Sequence, residues 1–273
     1  SKAGFLFSQK KKGIIPEFLE YYYNKRVEIK KRLFEVKKKY RKDKSTKLKY
    51  EVERLNTEQM VIKILINSCY GYMGNKHAPI GDDDIAASVT LTGQAVIKQS
   101  NVVIKDFIRQ QLPDISDYDL EQCIVYNDTD SGYISIAPLV EAGIIKFWDG
   151  EDVHQETYDK IQDIEDYLNQ EINAWAKKAL LTQDSRFIFK RESIADVGVF
   201  LQKKRYVMHI LDDEGIKESK FKYTGVEVVR TTMPNAIKPY AKEIIETMLM
   251  SKSLKKTNEL LNTTYDIFKT LSP

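Results

Sequence analysis

Two cysteines, Cys69 and Cys123, are all that 273 residues contain, too few for a disulfide framework. Three histidines, His77, His154 and His209, lie far from one another and from the cysteines, so no zinc spacing exists. No apolar run reaches the roughly 18 residues a membrane-spanning helix requires. No basic-apolar signal segment opens the sequence, and internal repeats and low-complexity blocks are missing apart from a lysine-rich stretch. These absences exclude a disulfide scaffold, a zinc module and a helical membrane protein. The expectation they leave is an intracellular chain with one sizeable core or two smaller ones.

What is present is a charge asymmetry. The formal charge is +3, yet residues 1–63 hold 19 Lys and Arg against 8 Asp and Glu, a local +11 that leaves −8 for the rest. A basic arm on an acidic body suits a polyanion held at one side and cations at the other, although a solvated, salt-bridged helical face has the same composition.

Gly13-Ile14-Ile15-Pro16 reads as a turn into a helix, with Pro16 near its first position and Glu17 and Glu20 in its first turn. That helix is expected to run to about Lys42. Asp43-Lys44-Ser45-Thr46 breaks it, and a second helix capped by Ser45 or Thr46 should reach about Ser68. The pair forms a long antiparallel hairpin whose outer half, poor in apolar positions, is expected to project into solvent. Asp82-Asp83-Asp84 reads as the cap of a third helix extending towards Gln111, since acidic residues there complement the helix dipole. Asp114 to Glu121 leads to a β-hairpin. A helix from about Asp152 to Leu181 carries Ile161, Ile164, Leu168, Ile172 and Trp175 as a core stripe. Strand-like 187–189 and 197–201 bracket Glu192, and 206–210 should pair with them. A helical tail follows, so the class is α+β: helical-hairpin arm, mixed body with antiparallel sheet, helical tail.

Two places carry chemistry. Tyr126-Asn127-Asp128-Thr129-Asp130-Ser131 puts two carboxylates two residues apart at the bend of the β-hairpin, where alternation can aim both to one side and their repulsion favours a shared divalent cation. Oxygen ligands of this kind suit Mg²⁺ or Mn²⁺, while Asp-Thr-Asp also serves as ordinary turn chemistry. In the helical hairpin, Arg26 and Lys63 are equally far from the tip and should be neighbours, about 28 Å from it at about 1.5 Å per residue. Lys30 is i+4 from Arg26 and Asn67 is i+4 from Lys63, which makes a stripe suited to a triphosphate.

Lys63-Ile64-Leu65-Ile66-Asn67-Ser68-Cys69-Tyr70-Gly71, followed by Tyr126-Asn127-Asp128-Thr129-Asp130-Ser131, resembles the second and third polymerase motifs of family B DNA polymerases. Lys203-Lys204-Arg205-Tyr206 resembles that family's K-K-R-Y element, and 222–227 its palm-to-thumb junction. Asn24-Lys25-Arg26 with Lys30 is similar to the fingers helix of its phage enzymes. The resemblance implies fingers over 1–76, palm over 77–225 and the beginning of the thumb over 226–273. It implies template-directed DNA synthesis with two Mg²⁺ ions, Mn²⁺ as a substitute, primer-template DNA and dNTP. Asp130 becomes a catalytic metal ligand, and Asp128 serves the same catalytic centre, either as a second metal ligand or by supporting it from behind. Arg26, Lys30, Lys63, Asn67 and Tyr70 bind nucleotide, Tyr70 beneath the nascent base pair. Lys203, Lys204, Arg205 and Tyr206 hold DNA, and Glu192 is an active-site acid beside the metals or a structural ion-pair partner.

Three departures qualify the resemblance. Gly132 stands where the family commonly has an apolar β residue. No D-x-x-S-L-Y-P-S element, the first polymerase motif with its own metal-binding aspartate, is found, nor any exonuclease motif. The tail is short for a full thumb. The implied partner is therefore an N-terminal polymerase part bearing the missing aspartate, as a separate subunit or as the rest of one chain, and alone this portion is expected to be inactive. No membrane partner is implied; the setting is the host-cell cytoplasm if the source is viral. Two other readings stay open: a non-catalytic nucleic-acid-binding subunit that keeps the polymerase fold, and a helical protein whose lysine-rich arm binds an acidic partner.

Overall fold

The computed structural model describes residues 1–8, 10–183 and 185–270, the side chain of Thr270 excepted. Helices dominate beside small antiparallel sheets, which makes the fold α+β. The chain divides into two compact units, Ser1–Val96 and the residues from Ile97 onward, each described by itself.

The first unit is built on α1 (Ile14–Lys42) and α2 (Thr46–Met73). Pro16 lies in the first turn of α1, and Lys39, Arg41 and Lys42 in its last turn complement the dipole. At the C-cap, Asp43 N–H reaches Lys39 O at 2.9 Å. Ser45 occupies the N-cap of α2, but its side chain makes no capping bond. Ile29, Leu33 and Val36 face Leu55 and Ile62 along a buried seam, with Tyr22, Leu48, Val52 and Ile66 packed against it. Leu33 and Val36 at i, i+3 reach well towards the tip, so the outer half has a core of its own rather than standing bare. α2 also runs five residues past the expected end. Gly71 lies inside it, because a helix interior tolerates one glycine at about 1 kcal/mol, and Gly74 forms the C-cap. Beyond it, Asp82 Oδ1 accepts the N–H groups of Asp84 and Ile85 at 2.8 and 3.1 Å, opening α3 (Asp83–Gln111) as a capped helix.

In the second unit the later turns of α3 bury Val103, Ile104, Phe107 and Ile108. α4 (Asp117–Gln122), capped by Ser116 Oγ, falls within the acidic stretch read only as a connection. It leads to the hairpin of β1 (Ile124–Asp128) and β2 (Ser131–Ile134). After α5 (Ala137–Glu141) and the small ladder of β3 (Trp148–Asp149) with β4 (Asp152–Val153) comes α6 (Gln155–Leu180). Its buried stripe is Thr157, Ile164, Leu168, Ile172 and Ala176, with Ile161 and Trp175 only half-buried. Phe107 meets Tyr167 of α6 at 5.4 Å between ring centroids.

Residues 187–189 do not form a sheet strand. Asn169 of α6 takes their backbone instead, donating to Phe189 O at 2.9 Å and accepting from Phe189 N at 2.8 Å. The sheet is a meander of β5 (Ser193–Gln202), β6 (Arg205–Asp213) and β7 (Ile216–Thr224), with β6 central and antiparallel to both neighbours. β6 is buried on both faces, which explains its nearly continuous apolar run. Val207 packs with Val226, Val228 and Leu249, the last from α7 (Lys238–Ser251). Tyr206, Met208 and Ile210 point the other way. A bulge at Asp196 brings its carboxylate 2.8 Å from His209 Nδ1, and Ser219 Oγ lies 2.9 Å from Nε2, so one imidazole ties all three strands. α8 (Leu254–Thr270) packs on α7, and among the described residues no helix is long and apolar enough to cross a membrane.

Asp212 is 2% exposed; it is ion-paired with Arg191 and also accepts Gly215 N–H at 2.9 Å. Replacing Arg191 with Met leaves that carboxylate buried without its cation, so urea unfolding should show a loss of about 3–5 kcal/mol.

Candidate active site

β1 pairs Tyr126 with Tyr133 and Asp128 with Ser131, leaving Thr129 and Asp130 as a two-residue turn. Thr129 takes a left-handed φ of 58°, as a tight hairpin requires. The turn is fastened around Asp128. Its carbonyl accepts from Asp130 N at 2.6 Å and Ser131 Oγ at 3.2 Å, and its Oδ1 accepts from Thr129 Oγ1 at 3.1 Å. Asp128 therefore ends a strand and Asp130 lies outside it. Strand alternation, used above to put both carboxylates on one side, governs Asp128 but stops before Asp130. Asp128 is 21% exposed, whereas Asp130 is open to solvent. At Gly132 a Cβ would come within 3.2 Å of Asn127 Oδ1 across the ladder, a close approach that the Asn127 side chain would have to ease.

Tyr126 shares a face with Asp128 by alternation, and that face is packed onto the sheet. Tyr126, Tyr133, Phe200 and Tyr206 form a cluster with ring centroids 5.2–6.0 Å apart. The hydroxyls of Tyr133 and Tyr206 are 2.6 Å apart. Burial, then the Tyr206 hydrogen bond and the charges of Tyr206, Asp128 and Glu192, push the Tyr133 phenol above its usual range. Glu192 is exposed at the start of β5, and its carboxylate and that of Asp128 act on the same phenol.

The two-residue turn Lys203-Lys204 joins β5 to β6, and it comes to the acid turn. Lys204 N–H donates to Tyr126 Oη at 2.7 Å, and Lys204 Nζ is 3.7 Å from Asp128 Oδ1. Arg205 is ion-paired with Glu227. Glu227's own backbone N–H, then Arg205 and Arg230, hold its carboxyl below the usual range. Tyr206 is 5% exposed and its hydroxyl is engaged, so it supports the turn from beneath rather than offering a surface to DNA.

In the first unit, Gln59, Lys63, Asn67 and Tyr70 succeed one another along one face of α2 at i, i+4, i+8 and i+11. Lys63 and Asn67 are exposed, and Tyr70 is 39% exposed. Arg26 Nη2 donates to Gln59 Oε1 at 3.2 Å, so the partner across the hairpin lies one helical turn nearer the tip than Lys63. Arg26 and Lys30 are half-buried, and Arg26 Nε is enclosed without a partner among the described residues. Gln59, Tyr126 and Tyr133 were missed from sequence. Gln59 could have been found four residues before Lys63, and Tyr126 two before Asp128.

The fit to a hard divalent cation is chemical and partial. Two carboxylates supply the oxygen donors that Mg²⁺ takes from proteins when substrate phosphates and water complete its octahedron. Among the described residues no cluster of three His, Cys, Asp or Glu could hold a metal.

The model of DNA polymerase family B matches residues 1–272, and this chain belongs to that family. It is 28% identical over 216 residues to the DNA-directed DNA polymerase of Escherichia phage RB69, covering 71% of this chain and 22% of the relative. The Enterobacteria phage T4 DNA-directed DNA polymerase is 28% identical over 211 residues, again 71% of this chain and 22% of the relative. DNA polymerase 1 of Pyrococcus abyssi is 27% identical over 248 residues, 91% of this chain and 25% of the relative. The chain thus spans about a quarter or less of the length of these relatives.

Because Tyr133 keeps its proton more tightly in the folded state than in the unfolded one, its contribution to stability is complete below about pH 10 and is lost as pH rises towards the folded value. Denaturant titrations from about pH 9 to 11 should show Tyr133→Phe losing less stability over that interval than the unsubstituted chain.

Proposed function

We propose that this chain carries the later portion of the polymerase centre of a DNA-synthesising enzyme, joining dNTP to a primer 3′-hydroxyl on a template. The observation that supports this most is the junction of the Asp128 turn with the Lys203-Lys204 turn over one aromatic cluster. An acid pair able to hold a cation and a basic turn able to hold a phosphate then lie side by side, as nucleotidyl transfer needs.

Asp128 and Asp130 would hold Mg²⁺, or Mn²⁺ in its place. Two such ions would supply activation of the primer hydroxyl and neutralisation of the triphosphate. Lys203 and Lys204 would hold backbone phosphates, a contact that is salt-sensitive and indifferent to sequence. Arg205, paired with Glu227, fixes the base of that turn, and Tyr206 with Tyr133 fixes its depth. In the helical hairpin, Lys63, Asn67, Arg26 and Lys30 would take the triphosphate, and Tyr70 would lie against the nascent base pair. Glu192 would tune the field beside the acid pair. Residues 1–76 read as fingers, 77–225 as palm and 226–273 as the beginning of the thumb. An N-terminal polymerase part would supply the remaining aspartate.

The rival reading is a non-catalytic nucleic-acid-binding subunit that keeps the polymerase fold. Steady-state incorporation by the polymerase assembled with its upstream part separates the two. Catalysis predicts that Asp130→Ala lowers kcat about 10²- to 10³-fold with DNA affinity changed less than about twofold. Undiminished incorporation would establish the scaffold.

A further inference from the structure

The backbone of Lys204 is gripped on two sides. Its φ is +61°, the left-handed conformation that a two-residue hairpin turn takes, as Thr129 does in the acid turn. On one side its N–H is taken by Tyr126 Oη at 2.7 Å. On the other its carbonyl packs against Gly225, itself at φ +61°, where any Cβ would run into the carbonyl oxygen. With the backbone fixed at both ends of the residue, the ammonium lies 3.7 Å from Asp128 Oδ1. Asp128 is half-buried and stands two residues from a second carboxylate, with the Lys204 ammonium as the cation beside it. The lysine is 62% exposed, so the pair is of the weak, exchangeable kind.

We propose that Lys204 is the resident counter-ion of Asp128, with Tyr126 and Gly225 as the positioning residues that keep it there, and that a divalent cation reaches this carboxylate by displacing the ammonium. The proposal rests on the metal reading of Asp128 given above. A lysine suits the task because its flexible stem can swing off without disturbing the turn, leaving the ammonium free for a nearby phosphate. The acid turn is thus kept from repelling itself before it is loaded, and loading it releases a cation towards the polyanion.

Mn²⁺ titrations of the purified 273-residue chain, with free ion followed by electron paramagnetic resonance, test this without any turnover. Lys204→Met should bind Mn²⁺ about two- to fivefold more tightly than the unsubstituted chain, the range an exposed ion pair allows. Lys203→Met, which removes an equal charge from the same turn, should change the affinity less. Tyr126→Phe keeps the ring in its cluster and removes only the hydroxyl. It should tighten Mn²⁺ binding by a smaller factor and speed hydrogen exchange at the Lys204 amide. Asp128→Asn should weaken binding. If Lys204→Met binds no more tightly than Lys203→Met while Asp128→Asn still weakens binding, the counter-ion proposal falls and the metal reading survives. If Asp128→Asn binds Mn²⁺ as well as the unsubstituted chain, both fall. Unchanged exchange at Lys204 in Tyr126→Phe removes Tyr126 from the proposal.

Discussion

Four clustered aromatic rings hold the candidate site together. The acid-bearing hairpin has strands of five and four residues, and an isolated hairpin of that size is marginal in water. Its geometry is therefore borrowed. Tyr126 and Tyr133 project from it onto Phe200 and Tyr206 of a sheet that begins about 60 residues later in the chain, and the burial of those rings sets where Asp128 stands. Two hydroxyl contacts convert non-directional burial into a register: Tyr133 to Tyr206, and Lys204 N–H to Tyr126. Sliding the hairpin by one residue would turn its aromatic face outward and take Asp128 with it.

The sheet is in turn fixed from its other face. Val207, alternating with Tyr206 and Met208, packs under Val226, Val228 and α7, so every residue of β6 from 206 to 210 is buried. His209 bridges Asp196 and Ser219 within that layer, and the Arg191–Asp212 pair closes the end of the meander. Force applied at the candidate site is thus carried into a double-sided core. The lysine turn is free to present its side chains only because its backbone is clamped between Tyr126 and Gly225.

Elements with strong periodicity were legible in the sequence. The stripe through Ile164, Leu168 and Ile172 reads as a helix face and is one, and Asp82 caps as its dipole argument requires. Failures came where a local signal lost to a longer-range one. Gly71 has the look of a helix end, but α2 runs through it to Met73 and is capped by Gly74. Phe187-Ile188-Phe189 has strand composition, yet Asn169 claims its backbone, a contact that no alternation pattern encodes. Across the hairpin Arg26 bonds Gln59, one turn nearer the tip than Lys63, because a long side chain reaches along a helix as well as across it. At the site, Asp128, Asp130 and the two lysines were readable as chemistry. The approach of Lys204 to Asp128 was not, since it depends on tyrosines whose spacing says only that they are apolar.

If the acid turn and the lysine turn are two sides of one cation-binding place, substoichiometric Mn²⁺ broadens the amide signals of both. The resonances of Thr129 to Ser131 should then be lost together with those of Lys203 to Arg205. Broadening confined to the acid turn, with the lysine turn untouched, rules out a shared place.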